Sequence, residues 1–91
     1  MEEKIERLVS IVESADDSIM YMIFVSIISS DSIMCLEDCS KAMELCNDLK
    51  VAIESANISK KKKKIYLGYI SKNIDIINQD IEHYTNQNEN K

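Results

Sequence analysis

The chain has no proline, no tryptophan, one glycine, one phenylalanine and one histidine among its 91 residues. Sheets and loop-rich folds draw on Gly, Pro and Asn-Gly turns at short intervals, so a chain almost without them is not expected to be built of hairpins. With a single histidine and one isolated glycine (Gly68), there is no Gly-rich phosphate loop and no Ser/His/Asp set with a plausible base. Residues 1–4 are Met-Glu-Glu-Lys, acidic where a signal peptide needs a positive flank, so these residues are not expected to act as one. No stretch reaches the roughly 20 apolar residues that cross a bilayer, and Asp16, Asp17 and Asp31 bracket only the short run between them.

What the chain does have is helical periodicity. Apolar residues recur in steps of three and four at Ile5, Leu8, Val12, Ala15, Ile19 and Met22. They do so again at Cys35, Cys39, Ala42, Cys46, Leu49, Ile53 and Ala56, and at Leu67, Ile70, Ile74, Ile77, Ile81 and Tyr84. Such spacing holds one apolar stripe against a neighbouring helix, whereas a half-buried strand would alternate every second residue. The fold class expected is all-α: an antiparallel bundle of three long helices, over about 2–29, 31–56 and 59–85. Short connections make successive helices antiparallel.

Boundaries follow from residues that compete for backbone hydrogen bonds. Ser29-Ser30-Asp31-Ser32 separates the first two helices, and Asn57-Ile58-Ser59 precedes the third, with Ser59 as its N-cap. Ser14 and Asp17 stand in capping-box spacing, so the first helix could break near Asp16 and give four helices. The stripe passes through Ala15 in phase, which favours continuity. Residues 1–85 form one domain, and the polar segment 86–91 is expected to be a disordered tail.

Charge is unevenly spread around a net of −5: residues 1–17 and 31–56 each hold six acids and two bases, while residues from Ser59 onward hold seven lysines and four acids. An acidic chain is not a general nucleic-acid binder. Lys60, Lys61, Lys62, Lys63 and Lys64 are nevertheless consecutive at the start of the third helix, where positive charge opposes the helix dipole. The run either pairs with acidic faces (Glu13, Asp17, Glu37, Asp38, Glu54) or binds an anion such as a nucleotide or nucleic acid. The first of these is preferred.

The three cysteines, Cys35, Cys39 and Cys46, are an odd number within twelve residues and form no disulfide framework, which fits a reducing, cytoplasmic setting. Cys35 and Cys39 stand one turn apart, but Cys46 is two turns on, so the spacing is poor for a closed zinc site. All three are expected to be small core residues.

The most unusual stretch is residues 19–28, which is apolar on both sides of the helix. Tyr21, Phe24, Val25 and Ile28 lie opposite the inward stripe and are expected to form an interaction face. Together these readings point to a non-enzymatic helical module without cofactor or metal. It would form a homo-oligomer or bind another protein as a regulatory or inhibitory factor. An anion-sequestering module acting through the lysine run is the alternative.

Overall fold

A computed structural model describes residues 2–29 and 31–89, the side chains of 87–89 excepted. Among them are four helices and no strand: α1 (Glu3–Ser14), α2 (Asp17–Ile27), α3 (Leu36–Ser55) and α4 (Lys60–Glu89). No helix among the described residues is long and apolar enough to cross a membrane.

The expected first helix over 2–29 is therefore two helices, and the reason is local. Ala15 and Asp16 are both extended, with ψ of 145° and 174°. The Ala15 amide closes α1 on the carbonyl of Ile11, and the Asp16 carboxylate opens α2 by accepting the Ile19 amide at 2.9 Å. A carboxylate that satisfies an otherwise orphaned amide at a helix start is worth about 1 kcal/mol, enough to decide a balanced contest with a continuous helix. Ser14 takes no part in capping α2; its hydroxyl bonds back to the Ser10 carbonyl.

The boundary before α3 is displaced too. Helix was expected from 31, but α3 begins at Leu36. The serines close α2 instead of opening α3. Ser29 and Ser32 hydroxyls both donate to the Ser26 carbonyl, at 3.2 and 2.8 Å, supplying partners that a helix end otherwise lacks. Asp38, in the first turn of α3, accepts the Met34 amide. Before α4 the expected cap is present, with the Ser59 hydroxyl accepting the Lys62 amide at 3.1 Å. Helix α4 then continues past Thr85 to Glu89, into the segment expected to be a tail; residues 90–91 lie outside the described residues.

Helices α3 and α4 form an antiparallel hairpin: Lys63 reaches Glu54 near the connection, and Asn73 reaches Cys46 farther from it. Helix α1 lies on α3 and α2 on α4. The register is readable from single bonds. Lys4 meets Glu44 and Asp48 while Glu13 accepts the Asn57 amide, so α1 runs in the same direction as α3. Tyr66 bonds Asp17 and Asn73 bonds Phe24, so α2 runs in the same direction as α4. The 48 × 24 × 19 Å envelope is set by α4, whose thirty residues span about 45 Å at 1.5 Å each.

One core joins all four helices. Its buried members include Val12, Met20, Phe24, Ile27, Cys39, Cys46, Leu49, Ile53, Tyr66, Ile70 and Ile77, and Ile33 from the α2–α3 connection joins them. The predicted α3 and α4 stripes lie in or against this core, with the exception of Cys35, which is exposed at the N-cap of α3 because the helix starts later than expected.

Candidate functional site

The break at residues 15–16 resets the phase of α2, and this decides which side chains face outward. Met20, Phe24 and Ile27 point inward. Ile19 and Met22, which a continuous helix would have carried inward, are 49% and 69% exposed. Of the expected interaction face, Phe24 is corrected to a core residue, 2% exposed, because the reset turns it onto α4. Its ring packs 5.5 Å from that of Tyr69. Tyr21 and Val25 remain exposed and Ile28 is half-buried.

The structure brings all four of those residues together. Tyr21, Phe24, Val25 and Ile28 form one wall of a groove of about 170 Å³, and Tyr69, Lys72, Asn73 and Ile76 of α4 form the other. Tyr69 is its aromatic hub, edge-on to Tyr21 at 5.8 Å and stacked beside Tyr66. Beyond the rim at Tyr21 and Val25, the outer face of α2 continues through Met22 to Ile19. There it meets a shallow crevice between α1 and α2 lined by Ser10, Ile11, Ser14 and Ala15. Residues 18–28 carry no charged side chain.

Two polar groups hold α2 in this orientation, and neither was among the expected site residues. Asn73 is buried, and its side-chain amide donates to the carbonyl of Phe24 at 3.1 Å. That carbonyl needs a partner because the Ile28 amide, which would bond it in a regular helix, turns to Val25 and Ser26 instead. The signal was present in the sequence: Asn73 sits between Ile70 and Ile77 on the inward phase of α4, a polar residue within an apolar stripe. Tyr66 is fully buried, and its hydroxyl donates to Asp17 Oδ1 at 2.7 Å. Burial pushes its phenol up to about 12, with the Asp17 hydrogen bond and charge acting in the same direction. Both bonds tie α2 to α4, at its first turn and at its last.

The lysine run occupies the start of α4, outside the lining of this groove and without the expected carboxylate partners. Among the described residues no carboxylate stands within ion-pair distance of Lys60 to Lys64. Four of the five acids expected to meet the run are engaged elsewhere. Glu13 holds the Asn57 amide, Asp17 the Tyr66 hydroxyl, Glu37 pairs with Lys41, and Asp38 holds the Met34 amide. Glu54 contributes its backbone: its carbonyl accepts the Lys63 ammonium at 3.0 Å, a cation placed on the C-terminal end of α3 where the dipole favours one. Lys60, Lys61, Lys62 and Lys64 stay exposed.

Two of the three cysteines are inert by position. Cys39 and Cys46 are fully buried, and burial pushes both thiols up; at Cys46 a hydrogen bond from Asn73 partly opposes it. Among the described residues no three His, Cys, Asp or Glu side chains gather in a way that could hold a metal ion. The chain matches no known protein-family model, no curated protein and no solved structure.

Proposed function

We propose that this chain is a non-enzymatic helical interaction module, regulatory or inhibitory in role, that acts by laying the outer face of α2 on another protein surface. The observation that carries this reading is the exposure of Ile19, Tyr21, Met22 and Val25, between 45% and 69% each, on a helix of eleven residues. Scattered single apolar residues on a surface are ordinary, but four on one short helix without an intervening charge make a patch of the kind that marks an interface. Its internal packing does not require them, since Met20, Phe24 and Ile27 already anchor the helix. Several polar and thiol groups are committed to structure: Asp16 and Ser59 as caps, Asp17 and Glu13 as acceptors, Cys39 and Cys46 in the core. Three unpaired thiols fit a reducing, cytoplasmic setting.

A photo-crosslinking amino acid at position 22, with position 61 as the polar control, tests the reading in cells. A discrete adduct from position 22 alone is expected. No adduct, or the same adducts from both positions, would reject α2 as the interaction surface.

The second reading is an anion-binding module. It is favoured by one observation, the four exposed lysines without carboxylate partners at the start of α4. Binding of a nucleotide or oligonucleotide that weakens steeply with salt, and is lost when Lys60, Lys61, Lys62 and Lys64 become Ser, would establish it. Salt-independent binding would dismiss it.

A further inference from the structure

We infer that the surface α2 is built to meet is a second copy of the chain, with the two α2 helices antiparallel about a two-fold axis at Met22. This rests on the reading of the outer face of α2 as the interaction surface, and names its partner.

The order of residues about Met22 is near-palindromic. Ile19 and Val25 stand three residues to either side, and Ser18 and Ser26 stand four to either side; all five are exposed. In a two-fold contact each residue meets the one at its mirrored position. Antiparallel pairing about Met22 therefore sets Ile19 against Val25 of the other copy, with the small Ser18 and Ser26 together, where they permit close approach. Val25 of one copy also comes level with the crevice beside Ile19 of the other, where Ile11 is 44% exposed.

Charge selects the antiparallel sense. Asp16 and Asp17 stand at the N-terminal end of α2, both exposed although one oxygen of Asp17 is held by Tyr66, and Lys72 of α4 lies beside Val25 and Ile28 at the C-terminal end of α2. Rotation about Met22 brings Asp16 and Asp17 of each copy level with residues 27–28 of the other, within the reach of Lys72. The pairing occurs twice. A parallel arrangement would instead oppose the acids of one copy to those of the other, and lysine to lysine, which is repulsive. A contact centred on one helix of eleven residues, about 16 Å long, falls at the small end of specific interfaces, so dissociation in the micromolar range is expected.

Engineered disulfides read this geometry directly, because a bridge requires Cα atoms within about 7 Å. In a Cys35→Ser background, with Cys39 and Cys46 buried, Met22→Cys is expected to link to itself on mild oxidation. The Ile19→Cys and Val25→Cys variants should link efficiently only when mixed. Lys72→Glu, which reverses two rim pairs at once, should weaken dimerisation by about tenfold as read by sedimentation equilibrium, with high salt narrowing the difference. A chain that stays monomeric at high micromolar concentration would overturn the proposal, as would Ile19→Cys linking to itself as readily as to Val25→Cys. A monomeric chain that still gives one crosslinked foreign protein from position 22 would overturn self-pairing alone and leave α2 as the interaction surface. Absence of any adduct would remove both.

Discussion

At the scale of single residues, the structure separates positions that the sequence leaves ambiguous. Gly68, inside α4, suggests either a close helix crossing or nothing in particular. A side chain added there meets no atom within 4 Å, so no crossing requires it. Gly68→Ala should therefore stabilise the protein by up to about 1 kcal/mol, since alanine loses less freedom in a helix. Denaturant unfolding is the check, and a destabilised variant would mean that the site is occupied in solution. Tyr66 makes the opposite kind of prediction. Its phenol titrates near 12 when folded against 10 when unfolded, so the native state holds its proton longer. The associated stability is present below pH 10 and is lost as pH rises from 10 towards 12. Ultraviolet titration of the four tyrosines should show one group ionising late, together with unfolding, and Tyr66→Phe should remove that late step.

At the scale of the element, periodicity made the helices legible, and capping chemistry set the limits. The stripes of α3 and α4 predict core positions well because a long helix averages over its own errors. The α1–α2 break was visible as a cluster of Ser and Asp, yet periodicity through Ala15 argued the other way. An in-phase stripe is blind to a two-residue interruption that changes the direction of the chain. The same blindness misplaced Ile19, Met22 and Phe24, whose exposure follows from where α2 restarts. Asn73 stood out as a polar residue in an apolar stripe, but its bond to Phe24 and that of Tyr66 to Asp17 were illegible for a different reason: the partners are 49 residues away and only the fold brings them near. If the Asp16 cap sets the phase of α2, Asp16→Ala should cost about 1 kcal/mol and loosen the first turn of α2. Amide exchange at Ile19 should then accelerate more than at residues of α3. Uniform acceleration across all four helices would show that the cap contributes to global stability without fixing the phase.

At the scale of the whole molecule, the question is whether α2 is an independent flap or part of one cooperative unit. Its exposed face and its separation from α1 by two extended residues suggest a flap. Its buried face argues against that, because Met20, Phe24 and Ile27 belong to the same contiguous core as Cys46, Ile53 and Ile77. A cluster that draws on every helix leaves no subset with a core of its own, and a chain of 91 residues has little apolar surface to spare. Unfolding should then be two-state, with helix content by far-ultraviolet circular dichroism and tyrosine fluorescence falling along one curve. Phe24→Ala decides the matter, since Phe24 is the anchor of α2 on Tyr69 and its truncation should cost about 3–5 kcal/mol. In a single unit both probes shift together by that amount. If α2 is a flap, tyrosine fluorescence will change while the helical transition of α3 and α4 stays in place, and an interaction face carried on α2 would then be one that the protein can release without unfolding.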